Sequence, residues 1–375
     1  MNIKAGLVGL PNVGKSTLFN ALTKAGVPAA NYPFCTIEPH IAITHVPDER
    51  LAILATIYRS QKIVPADVMF VDIAGLVKGA ASGEGLGNQF LSNIREVNLI
   101  IHVIRCFDDP HIIHTSTQID PLNDYEIVLQ ELMLKDVESI NKRLDKIQTL
   151  MKAAQQKPAE RKQLEAEQQL LMELLAAINT FDAPRIAKLV NNAATLAVPV
   201  TTIPLLSAKN FIIVANLGAE DIDHEHWHTN VHYQALVKRF GADRVIPLCV
   251  KLEEELAQLP TEQAQALMHD LGLRQSGLAH IITTTYRELG LITFFTCGPQ
   301  ETHAWPIIKG TTIKQAAGEI HSDFERGFIC AEVINCAEVI ACGSEQKAKT
   351  LGKVRTEGSS YITTDGDIVL IRFNV

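Results

Sequence analysis

A chain of 375 residues, 47% hydrophobic and 20% charged, has the make-up of a folded globular protein. Its length exceeds what one core usually holds, so two or three domains are expected. A net charge of −8 excludes a surface that coats nucleic acid through bulk positive charge, although a local basic patch is compatible with it. No apolar run approaches the roughly 20 residues that span a bilayer. The first strand begins at Asn2 and Ile3, leaving no room for a secretory leader, so a cytoplasmic protein without membrane contact is expected.

The apolar run Ile3 to Val8 leads into Gly9-Leu-Pro-Asn-Val-Gly14-Lys15-Ser16, a complete G-x-x-x-x-G-K-S. A strand that stops at glycines and turns into a helix aims several backbone N–H groups at one point, where the helix's positive end adds to them. That point fits a polyphosphate. Lys15 would reach the β/γ-phosphates and the Ser16 hydroxyl would ligate Mg²⁺. Asn12, Val13, Gly14, Lys15, Ser16 and Thr17 form the expected nucleotide-binding set, and Asn12 could also ligate K⁺. The alternative is a glycine turn carrying a surface lysine. A helix is predicted over 14–24 and a strand over 37–46, with Thr36 before it able to complete the Mg²⁺ shell as a first switch does.

The buried strand Val68 to Asp72 ends in Asp72-Ile-Ala-Gly75. Asp72 would hold Mg²⁺ through water while the Gly75 N–H senses the γ-phosphate. Leu76 stands where Ras-like GTPases keep a water-orienting glutamine, and an apolar side chain cannot polarise water. Gly79 to Gly87 is glycine-rich, as suits a second switch, and a helix is predicted over 88–97. After the strand Leu99 to Ile104, His114 is a candidate hydrolytic residue because its pKa type suits neutral pH, with a bystander role as the alternative.

Val137, Ile140, Leu144, Ile147 and Met151 have the 3-4 spacing of a coiled-coil seam, and Lys157-Pro158 breaks that helix. Leu164, Leu171, Leu175 and Ile178 on a second helix can fold back against it, as a docking arm or a solvated structural one. Strands resume at Phe211 to Ala215 and Val245 to Val250, with a helix over 231–240 between. At the strand end Asn216-Leu-Gly-Ala-Glu220 retains the asparagine of N-K-x-D, but Leu217 replaces lysine and Ala219 the aspartate. Without that carboxylate guanine loses its paired acceptor, whereas an asparagine amide can both donate to and accept from adenine, so ATP should be preferred. Ser207-Ala-Lys209 resembles the last GTPase motif but precedes Asn216, and reads as a decoy; Cys249-Val250-Lys251 sits where that loop belongs. From about residue 280 short β segments, Leu291 to Thr296, Phe328 to Val333 and Ile368 to Phe373, flank a helix over 312–319, a small α+β domain. The seven cysteines contain no C-x-x-C and are expected to be reduced, with Cys330, Cys336 and Cys342 on one strand-like face.

Gly9 to Thr17, Asn31-Tyr-Pro-Phe-Cys-Thr-Ile-Glu-Pro39, Asp72 to Val77 and Arg105-Cys-Phe107 together resemble the YchF subfamily of Obg-like ATPases. Arg326-Gly-Phe-Ile, Asp365-Gly-Asp and Arg372-Phe-Asn-Val375 resemble its C-terminal TGS domain. The resemblance covers essentially the whole chain. It implies an α/β P-loop NTPase with a mixed, mostly parallel sheet, an inserted helical coiled-coil arm and a β-grasp-like TGS domain. The expected division is 1–127 with 200–280, 128–199, and 281–375. The resemblance further implies a translation-factor-class protein that hydrolyses ATP in preference to GTP and associates with ribosomes; Mg²⁺ dependence, contact with the large subunit or the 70S particle and with rRNA, and a monomeric state are expected alongside it. Leu76 then matches the family's hydrophobic replacement for the catalytic glutamine, His114 a histidine assigned to hydrolysis, and Leu217 a base contact beside Asn216. The family writes its base motif N-x-x-E, whereas here the acid comes one residue late, at Glu220. An Obg-type GTPase and a nucleotide-stabilised ribosome- or RNA-binding module are the competing readings.

Overall fold

The computed structural model describes residues 3–26, 40–73, 94–112, 118–153, 157–195 and 205–374. Thr36, Gly75, Leu76, the glycine-rich stretch 79–87 and His114 lie outside the described residues. Strand β1 (Lys4–Val8) is buried from Ala5 onward, and helix α1 (Lys15–Ala25) buries Leu18, Ala21 and Leu22 at helical spacing. Then come β2 (Ile41–His45), α2 (Glu49–Tyr58), β3 (Lys62–Val64), β4 (Asp67–Asp72) and β5 (Leu99–Arg105). The long helices α3 (Pro121–Ala153), α4 (Pro158–Asn179) and α5 (Ala183–Thr195) precede β6 (Phe211–Asn216), α6 (Ala219–Ile222), α7 (Val231–Phe240), β7 (Val245–Leu248) and α8 (Val250–Leu256).

One six-stranded sheet runs in the order β2-β4-β1-β5-β6-β7. The β5–β6 and β6–β7 pairs are parallel and β2–β4 is antiparallel, so the sheet is mixed. All seven residues of β5 are buried, the continuous burial expected of a strand covered on both faces. At its centre His102 is 3% exposed, 4.8 Å from the Tyr125 ring and 5.6 Å from that of Phe211, ring centre to ring centre. Burial pushes its pKa down to about 3.

By contact density the chain divides into two compact units, Met1–Ala5 with Leu18–Val71 and Lys251–Val375, and Gly6–Thr17 with Asp72–Val250. Within the second, α3 packs on α4, and α4 on α5; the α3–α4 seam buries Ile140, Ile147, Leu164, Leu171 and Ile178, with Val137, Leu144, Met151 and Leu175 partly buried at the margin. These are the seam positions read from the spacing. The contact also holds an ion pair: Arg143 Nε and Nη2 donate to the two oxygens of Glu167, at 2.7 and 2.9 Å, and Glu167 is 3% exposed.

The first unit carries a second sheet, built after α9 (Gly277–Glu288). Its strands are β8 (Leu291–Cys297), β9 (Glu301–Ile308), β10 (Phe328–Asn335), β11 (Arg355–Glu357) and β12 (Asp367–Phe373), in the order β11-β10-β12-β8-β9-β3. The β12–β8 pair is parallel and β8–β9 and β10–β12 are antiparallel. Helix α10 (Ile313–Ile320), capped by Thr312 and Gln315, buries Ile313, Ala316 and Ala317 with Phe294, Ile307, Val333 and Val369. Unforeseen from the pattern, β3 joins this sheet in parallel with β9, pairing Lys62 with Glu301. Ser60 Oγ supports the join by donating to the Gly298 carbonyl at 2.8 Å. Two further corrections concern the C-terminal cysteines and β7. Of Cys330, Cys336 and Cys342, the first lies on a strand, whereas the other two bound helix α11 (Cys336–Cys342). Strand β7 ends at Leu248, and Val250 opens a helix.

Candidate nucleotide site

Lys15 begins α1 and is 8% exposed, and its ammonium pairs with the carboxylate of Asp72 at the end of β4. Residues 57 apart in the chain are thus brought into contact at the mouth of the loop. Ser16 is exposed in the first helical turn, where N–H groups have no intrahelical partner. A hydroxyl and a carboxylate flanking the lysine are hard oxygen donors of the kind Mg²⁺ takes. The loop backbone is held from below, because a Cβ on Gly9 would stand 2.5 Å from the Val103 carbonyl oxygen of β5. Asn12 adopts φ 61° and Gly14 φ 96°, left-handed values that asparagine and glycine tolerate best.

Asn216, 5% exposed, ties three segments together. Its Nδ2 donates to the Val13 carbonyl at 2.9 Å and its Oδ1 accepts from Val250 N at 3.1 Å. Its own carbonyl accepts from Cys106 N at 2.8 Å. The asparagine read as a base contact therefore also pins the phosphate loop to the start of α8. Leu217 is buried, and its N–H donates to the Leu248 carbonyl at 2.8 Å.

Beyond Leu217 the chain turns at Gly218. The Glu220 carboxylate folds over that glycine, so that a Cβ there would lie 2.3 Å from Oε1. Asp221 Oδ2 accepts from Gly218 N at 3.3 Å and from Asn230 Nδ2 at 3.1 Å. Neither Asn230 nor Arg105 was assigned a role from the sequence. Arg105, 2% exposed at the end of β5, donates to the carbonyls of Phe107, Asp109 and Ile112 at 3.0 to 3.1 Å. Its guanidinium lies 4.6 Å from the centre of the Phe107 ring, and so it shapes the loop leading toward residue 114. The signal was present: an arginine closing an otherwise apolar buried strand must place its charge against carbonyls or acids.

Ser207-Ala-Lys209, the decoy motif, works at the foot of the long helices. Asp136 of α3, 1% exposed, accepts from Leu206 N, Ser207 N and Ser207 Oγ at 2.8, 2.9 and 2.6 Å. Burial raises its pKa against those hydrogen bonds. Lys209 Nζ donates to the carbonyls of Arg95, at 3.1 Å, and Val97.

Residues 4–143 match the family model MMR_HSR1, described as a 50S ribosome-binding GTPase. Residues 291–374 match YchF-GTPase_C, described as a protein of unknown function (DUF933). Over 378 aligned residues, covering 100% of both proteins, the chain is 44% identical to one from Bacillus subtilis (strain 168) named Ribosome-binding ATPase YchF. It is 42% identical to its namesake from Escherichia coli O157:H7, again over 100% of both. A solved structure of the Schizosaccharomyces pombe YchF GTPase superposes with a TM-score of 0.83 at 36% identity, covering 99% of this chain and 98% of that one.

Proposed function

The chain belongs to the YchF family, and from that premise we propose that it is a ribosome-associated ATPase that binds the nucleotide polyphosphate at residues 12–17. The observation that carries this reading is the contact between Lys15 and Asp72. The lysine that would grip β- and γ-phosphates and the carboxylate that would hold the metal's water are already adjacent. A polyphosphate entering the loop draws the ammonium away from Asp72 and frees that carboxylate.

Ser16, Thr36 and Asp72 would hold Mg²⁺, with Asp72 acting through water. The ion, when bound, neutralises charge between the β- and γ-phosphates. The backbone of Val13, Gly14 and Thr17 cradles the phosphates, Gly75 contacts the γ-phosphate, and Asn12 is a candidate K⁺ ligand. His114 takes the catalytic place that Leu76 cannot fill. Asn216 and Leu217 receive the base.

ATP over GTP is our reading of that end of the site. Ala219 stands where a guanine-selecting aspartate would be, and Asp221 is drawn onto Gly218 and Asn230. The names of the relatives differ on this point, ATPase for the bacterial proteins and GTPase for the yeast one, which keeps a GTPase as the second reading. We assign residues 1–127 with 200–280 to nucleotide binding. Residues 128–199, as a coiled-coil arm, and 281–375, as a TGS domain, face the ribosome and its rRNA on the large subunit or the 70S particle. The protein acts as a cytoplasmic monomer.

Titration of ATP and GTP into the full chain with Mg²⁺, alongside ribosome co-sedimentation of the wild type and Lys15→Ala, tests the reading. Tighter ATP binding and nucleotide-dependent sedimentation that Lys15→Ala abolishes are expected. GTP bound as tightly as ATP returns the protein to the GTPase reading. Sedimentation indifferent to nucleotide and to Lys15 makes it a binding module.

A further inference from the structure

Four hydrogen bonds converge on the side chain of Asn230, which precedes α7. Its Oδ1 accepts from His232 N and Tyr233 N, both at 3.0 Å, capping the helix. Its Nδ2 donates to the Cys106 carbonyl at 3.2 Å and to Asp221 Oδ2 at 3.1 Å. That same Asp221 oxygen accepts from Gly218 N at 3.3 Å. The cap is ordinary for an asparagine. The second pair is not needed for a cap, and it joins the end of β5 to the turn after β6.

The chemical consequence falls on Leu217 and Gly218. The Leu217 N–H is taken by the Leu248 carbonyl and the Gly218 N–H by Asp221. Neither is left to donate to an acceptor such as guanine O6. Asp221 is turned the same way: its Oδ2 is committed to Gly218 and Asn230, so the carboxylate is not free to swing into the paired arrangement that guanine's N1–H and exocyclic amine require. A 6-aminopurine needs no donor at its C6 substituent, since its amine is itself the donor.

We propose that Asn230 is a specificity-determining positioning residue: by holding Asp221 on Gly218 it keeps the turn after β6 closed to guanine and open to adenine. The proposal rests on the reading that Asn216 and Leu217 receive the base.

Two substitutions separate this role from the cap. Asn230→Ser retains an N-cap oxygen for α7 but cannot reach both Asp221 and Cys106, and Asp221→Ala removes the tether from the other end. Affinities of the full-length variants for ATP, GTP and inorganic tripolyphosphate are measured by titration with Mg²⁺, with thermal unfolding in parallel. Asn230→Ser is expected to compress the ATP-to-GTP preference by about three- to tenfold, the worth of one or two hydrogen bonds, while tripolyphosphate affinity stays at the wild-type value. Asp221→Ala should compress it similarly, and the double variant no further. A preference unchanged in both single variants, or a loss equal for ATP and tripolyphosphate, overturns the proposal. A wild type that binds ATP, GTP and tripolyphosphate alike overturns the base reading itself, and is told apart because it needs no variant. Should Asn230→Ser not fold, Asp221→Ala alone decides.

Discussion

Gly14 and Asn216 share one volume: a Cβ added to Gly14 would stand 2.4 Å from Asn216 Nδ2, the nitrogen that donates to the Val13 carbonyl. The phosphate loop thus approaches β6 as closely as a residue without a side chain allows. Gly14 also sits at φ 96°, where an L side chain is strained. Gly14→Ala is expected to lower ATP affinity by about tenfold or more, and Asn216→Ala to do so by releasing Val13 and Val250. Titration calorimetry on each variant checks this, and wild-type affinity in Gly14→Ala would show that the loop does not need this approach.

Lys15→Ala leaves Asp72 without its cation and the phosphates without theirs. Loss of a preorganised charge of this kind lowers turnover by about 100-fold or more. Phosphate release under saturating ATP measures it; retention of most of the activity would remove Lys15 from the mechanism.

Arg143→Met removes the guanidinium whose two nitrogens donate to the Glu167 oxygens at 2.7 and 2.9 Å between the long helices. Losing charged hydrogen bonds to a buried carboxylate costs about 1.5–3 kcal/mol, whereas replacing both charges by apolar residues is often neutral. Limited proteolysis of α3 and α4 should therefore accelerate strongly in Arg143→Met and return toward wild type in Arg143→Met/Glu167→Met. Equal protection in all three would mean that the pair adds nothing to the helix contact.

His102 makes stability fall on the acid side. Its folded pKa, about 3, lies below the unfolded value of about 6.5, so its contribution is complete above that unfolded value. As pH falls below about 6.5 the unfolded chain takes up a proton that the native state refuses, and the loss continues until the native imidazole titrates near 3. Between pH 7 and 5 the wild type should lose about 2 kcal/mol more than His102→Phe, read from urea unfolding at the two pH values. Parallel pH profiles for the two proteins would show that His102 does not carry the effect.

What could be read from residues alone was whatever is local. The phosphate loop was legible because its N–H geometry admits only small residues, Lys15 and Ser16 at fixed offsets. The helix seam was legible because Ile140, Ile147, Leu164 and Leu171 repeat at helical spacing. What escaped is nonlocal. Asp136 looks like one more charge on a solvated helix, yet its partners Leu206 and Ser207 are 70 and 71 residues away. Asn230 reads as a helix cap and nothing more, since its contacts to Cys106 and Asp221 come from other segments. Strand β9 was hidden by Pro306, which pairs opposite Thr293, because proline within an apolar run argues against a strand.

The three residues of β3 have a consequence for synthesis. They form the outer border of a sheet whose other strands are made more than 200 residues later, Lys62 against Glu301 and Val64 against His303. Until residues 301–303 have left the ribosome, this early segment has no strand to lie beside. A fragment beginning near residue 281 would in turn leave β9 with an unpaired backbone edge, a template for self-association. Completion of this sheet therefore waits on a pairing between segments more than 200 residues apart, a slow, nonlocal step of folding.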